Sequence, residues 1–68
     1  MFNYTEAAKV AANKFSTYTE QQCRYAIKDC TETLQFYDHE NPYAKKLWVE
    51  IDAARDRLME IERNRNAR

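Results

Sequence analysis

The chain has 68 residues, enough for one small domain, and its eleven basic side chains are matched by eleven acidic ones. That balance leaves no net charge to select a polyanionic partner, and no apolar run is long enough to cross a bilayer. Glycine is absent and proline occurs once, which excludes a fold built on tight β-turns, while Ala, Glu, Gln, Lys, Arg and Leu are plentiful; the expected class is all-α.

Asn3 followed by Glu6 reads as a helix N-cap with its N3 partner, and opens a helix over about 4–15. Its apolar positions Tyr4, Ala7, Ala8, Ala11 and Phe15 recur at helical spacing, and its alanines make one side small enough for close approach to a neighbour. In "STYTEQQ", Thr19 with Gln22 and Thr17 with Glu20 are competing capping boxes. No Gly or Pro forces a break there, so continuity with the first helix stays open.

A second helix is predicted over about 20–37. Cys23, Ile27, Cys30, Leu34 and Tyr37 follow one another at four, three, four and three residues, a heptad-like seam. Asn41-Pro42 then starts a third helix over about 42–64, because Asn caps and Pro costs nothing at the first helical position. Ala44, Leu47, Ile51, Ala54, Leu58 and Ile61 give it the cleanest amphipathic stripe in the chain. The basic tail 65–68 is expected to fray. Two long helices with so short a connection must fold back on one another. The expected architecture is therefore a single domain, 1–68: an antiparallel helical hairpin with a shorter N-terminal helix.

The connection "DHEN" contains the only histidine, His39, between Asp38 and Glu40. One His with two adjacent acids in a turn is not a zinc pattern, so no metal and no cofactor are expected. The two cysteines are seven residues apart, about 10 Å along a helix, too far for a bridge to each other. They are read as small buried apolar groups of the seam, with an intermolecular crosslink as the sharper alternative.

Nine aromatic residues (five Tyr, three Phe, one Trp) exceed what so small an interior can hold. Tyr25, Phe36, Trp48, Val49 and Met59 lie off both seams. Surplus apolar surface predicts self-association or a protein partner. The segment "PYAKKLW" concentrates recognition chemistry: Tyr43 and Trp48 as aromatic anchors, Lys45 and Lys46 to steer toward an acidic partner.

No Gly-rich phosphate loop, paired catalytic acids or nucleophile with its base can be assembled, so no enzyme is expected. Nucleic acid is disfavoured by Glu50, Asp52, Asp56, Glu60 and Glu62 on the third helix. The alternative kept open is an oligomer that sandwiches a nucleotide or nucleic-acid base between aromatics, with Lys45, Lys46 or the tail arginines on its phosphates. "MFNYTEAAKV" lacks a charged leader and an apolar signal core, so a reducing cytosol is the expected location.

The stretch "ENPYAKKLWVEIDAARDRLMEIE", about the last third of the chain, resembles short helical accessory proteins of tailed bacteriophages. That resemblance implies a small factor acting by binding, against a host enzyme or defence system, and assigns no functional residue.

Overall fold

A computed structural model describes residues 2–67. Within them the chain is all-helical, with three helices and no strand: α1 Tyr4–Phe15, α2 Glu20–Leu34 and α3 Pro42–Asn66.

Each helix begins where a side chain can replace a missing backbone partner. The Glu6 N–H donates to Asn3 Oδ1 at 3.0 Å. At α2, Thr19 and Gln22 form the full capping box. The Gln22 N–H donates to Thr19 Oγ1 at 3.2 Å, and the Thr19 N–H donates to Gln22 Oε1 at 2.9 Å. Thr17 is left out of it, and residues 16–19 separate α1 from α2. At α3 the Tyr43 N–H donates to Asn41 Oδ1 at 2.9 Å, with Pro42 in the first turn.

Two ends differ from the expectation. Helix α2 stops at Leu34, three residues before Tyr37. The N–H groups of Gln35, Phe36 and Tyr37 instead donate to the carbonyls of Glu32, Thr33 and Leu34, each three residues back. Thr31 and Thr33 turn their hydroxyls onto the carbonyls of Ile27 and Asp29, which competes with regular propagation. No basic side chain in the last turn favours further winding. Tyr37 thereby leaves the seam and meets Tyr43 edge to face, at 5.0 Å between ring centroids. Helix α3 in turn runs past Asn64 to Asn66. Arg65, placed in a frayed tail by the sequence reading, is helical and donates to Glu20 at 2.7 Å. Arg68 lies outside the described residues.

Helix α3 is the hub. Both α1 and α2 pack along it and hardly touch one another. The 43 Å long axis of the molecule is close to the length of α3 itself, at about 1.5 Å per residue. One cluster joins all three helices around Phe15, with Ala11, Cys23 and Ala54 buried beside it. Tyr18 closes that cluster edge-on against Phe15, and its carbonyl accepts from Arg57 Nε at 3.0 Å. A second cluster sets Cys30 against Leu47 and Ile51. The partners of α2 on α3 thus run from Leu47 and Ile51 at Cys30 to Ala54 at Cys23.

Of the seam residues, Cys23, Cys30, Leu47 and Ile51 are buried, and Ile27, Leu34, Leu58 and Ile61 half-buried. The other buried positions are Ala11, Phe15, Ala44 and Ala54. Among the described residues only Phe15, Leu47 and Ile51 are both buried and large, so the interior they form is small even for this length.

Candidate functional site

The first two turns of α3 carry the four predicted contact residues. Asn41 and Pro42 fix where the helix starts, and Ala44 and Leu47 turn inward, 1% and 5% exposed. The remaining side chains are then distributed by the helical period of about 100° per residue. Tyr43 and Lys46, three apart, share one side; Lys45 and Trp48, also three apart, share another. Tyr43 and Trp48 are five apart, about 140° around the helix, and do not form one patch.

The Tyr43 side adjoins the α2–α3 connection. Tyr43 is 44% exposed, its neighbour Tyr37 40%, and Phe36 83%, the most exposed large apolar side chain described. Lys46 continues this side toward α1, where it borders a groove of about 290 Å³ with Phe2, Val10, Lys14 and Glu50. The groove already contains an ion pair: Lys14 Nζ lies 2.8 Å from Glu50, whose carboxylate is largely covered. The hydrogen bond to Glu50 raises the Lys14 pKa above the ordinary lysine range.

The Trp48 side faces away from both neighbouring helices. Val49 and Ala53 take α1, and Leu47, Ile51 and Ala54 pack with the cysteines of α2. Trp48 remains 45% exposed, Met59 57%, and Lys45 is half-buried.

Between these sides, α1 and α3 enclose a wider groove of about 470 Å³. Its floor includes Ala8, Ala12 and Ala53, and its rim Asp52, Asp56 and Glu60. The four-residue spacing of this acidic stripe is visible in the sequence, where it registers only as a barrier to phosphates and not as the rim of a groove.

Asp38, His39 and Glu40 are all exposed in the turn before Asn41, and among the described residues no group of metal-ligating side chains converges. Both cysteines are free thiols. Burial pushes the Cys23 thiol up. Burial does the same to Cys30, aided by the nearby Glu50 and Asp29 carboxylates. Thiols held protonated are poor nucleophiles. Among the described residues no helix is long and apolar enough to cross a membrane. Comparison with protein families, curated proteins and solved structures finds no match to this chain.

Proposed function

We propose that the chain is an antiparallel helical hairpin carrying a shorter N-terminal helix, that it self-associates, and that it acts as a small non-enzymatic protein binding a protein partner stoichiometrically. The resemblance to phage accessory factors is consistent with that role, in a reducing cytosol, against a host enzyme or defence system. The observation that carries the reading is the aromatic pair Tyr37–Tyr43, partly exposed at the α2–α3 connection, with the far more exposed Phe36 preceding it in the chain and Lys46 one turn along α3. Aromatic side chains held in place by the fold give large contact area at little entropic cost, which suits them to anchoring a partner.

The nucleotide alternative draws less support. Lys45 and Lys46 diverge by about 100° and cannot converge on one phosphate. Lys14, which lines the same groove as Lys46, is already paired with Glu50.

The test is capture from host lysate by the parent chain and by Phe36→Ala, Tyr43→Ala and Lys46→Glu. A protein retained in near-equimolar amount by the parent and lost by the aromatic variants, with unchanged circular dichroism, supports the reading. Retention by all three variants removes this end of the molecule as the contact surface.

A further inference from the structure

The side of α3 turned away from its buried contacts with α1 and α2 carries a self-complementary code. Lys45, Trp48, Asp52, Arg55, Met59 and Glu62 follow one another at three, four, three, four and three residues, a continuous seam in a second register. Trp48, Asp52, Arg55, Met59 and Glu62 are exposed, and Lys45 is half-buried. None of the four charged members takes part in an ion pair among the described residues; the pairs present are Lys14–Glu50, Arg24–Glu20, Arg57–Glu60 and Arg65–Glu20. The seam thus holds no ion pair of its own among the described residues, although Asp52 also lines the groove that α3 forms with α1 and Glu62 lies close enough to Arg65 to favour its charge.

We infer that this face docks a second copy of the chain, α3 against α3, antiparallel about a two-fold axis that passes between Asp52 and Arg55. In that register Lys45 of one copy meets Glu62 of the other, Trp48 meets Met59, and Asp52 meets Arg55. Each pairing occurs twice, as an isologous two-fold contact requires. Every charged position faces its opposite, and the indole meets a thioether, a favourable contact. The parallel arrangement would set Lys45, Asp52, Arg55 and Glu62 each against itself, so the same sequence that favours one orientation repels the other. A seam at heptad spacing lets two helices pack at about +20° along its length. The apolar pairs supply affinity, and the charged pairs fix direction and register, the best-attested use of such groups.

The inference rests on the self-association reading and narrows it to one face. It places Lys45 and Trp48 against a second copy and leaves Tyr43 and Lys46 for a different protein.

Sedimentation of the purified chain should give twice the 8.2 kDa of one chain. Asp52→Arg and Arg55→Asp should each weaken the dimer at least tenfold, because each sets like charges across the axis twice. An equimolar mixture of the two variants should recover the parent's dissociation constant, since in the mixed dimer both contacts near the axis again join a guanidinium to a carboxylate. For orientation, Lys45→Cys mixed with Glu62→Cys should form a disulfide-linked dimer under mild oxidation, and Lys45→Cys alone should not. This crosslink decides the matter even if a charge variant folds poorly. A parent that stays monomeric removes self-association altogether. A dimer indifferent to both charge variants, or crosslinked by Lys45→Cys alone, keeps self-association and overturns this face.

Discussion

Arg65, in the last turn of α3, donates to the carboxylate of Glu20, in the first turn of α2, across 2.7 Å and 45 residues of sequence. Glu20 also accepts from Arg24 at 2.9 Å, one turn along its own helix. The carboxylate therefore ties the far end of α3 back to α2 and sits at the positive end of a helix dipole.

A pH dependence follows. The hydrogen bond from Arg65, then that from Arg24, hold the Glu20 carboxyl below the usual carboxylate range. A carboxyl whose pKa is lower folded than unfolded adds stability above its unfolded pKa, at about 4.3, and loses it as pH falls through the folded value. Melting temperature should drop on acidification below about pH 4.3, and Glu20→Gln should flatten that part of the curve. The pair is solvent-exposed, so added salt should shrink the difference. An identical acid limb in Glu20→Gln would show that another carboxylate is responsible.

Phe15 should be the most sensitive position. It is 1% exposed and is the one large side chain of the cluster that joins all three helices. Phe15→Ala should cost about 3–5 kcal/mol, comparable with the whole stability of a small domain, and leave the chain largely unfolded at room temperature. Ile51→Val, in the other cluster, should cost only about 0.5–1.5 kcal/mol. Urea denaturation followed by circular dichroism distinguishes the two.

The cysteines are packing groups in this fold. Cys23→Ala and Cys30→Ala should each destabilise by about 1 kcal/mol, as loss of a group near the size of one methylene would. Reductant should leave the melting temperature unchanged, and alkylation at neutral pH should be slow until the chain is unfolded. A strong fall in melting temperature with reductant would mean a crosslink between copies.

His39→Ala should change stability by less than about 0.5 kcal/mol, as an exposed turn residue. Tyr43→Ala removes the edge-to-face pair with Tyr37 and should cost about 0.5–1.5 kcal/mol of stability. Its effect on partner affinity should be larger, about 2 kcal/mol or more if it anchors the contact. Titration calorimetry with the captured partner separates these contributions. Loss of binding in His39→Ala alone would return attention to the turn.

Helix starts are readable from the sequence because their causes are local. Asn3 and Asn41-Pro42 act on backbone groups within three residues; at α2 the sequence leaves Thr17 and Thr19 in competition and continuity with α1 open, and the structure forms the Thr19–Gln22 box. The end of α2 is not readable in the same way. Nothing at Gln35 forbids helix, and the chain leaves it through successive three-residue turns that bring Tyr37 to Tyr43, a contact defined only once α3 is in place. In the sequence Phe15 is the last member of a short stripe, and its central position depends on where α3 runs. The separation of Tyr43 from Trp48 is within reach of the sequence. It is obscured when residues close along the chain are treated as one patch, although a helix sends them to different sides.

The order in which the helices are made sets a constraint on folding. Because α1 and α2 lean on α3 and hardly on each other, the surface that both need is synthesised after them. As the chain leaves the ribosome, the first two helices have capping and local propensity but no wall to bury Phe15 or Cys23 against. Short helices without such a wall are marginal in water. Native packing therefore begins only when the Leu47–Ala54 stretch has emerged, and until then the nascent chain exposes apolar side chains that chaperones are built to recognise.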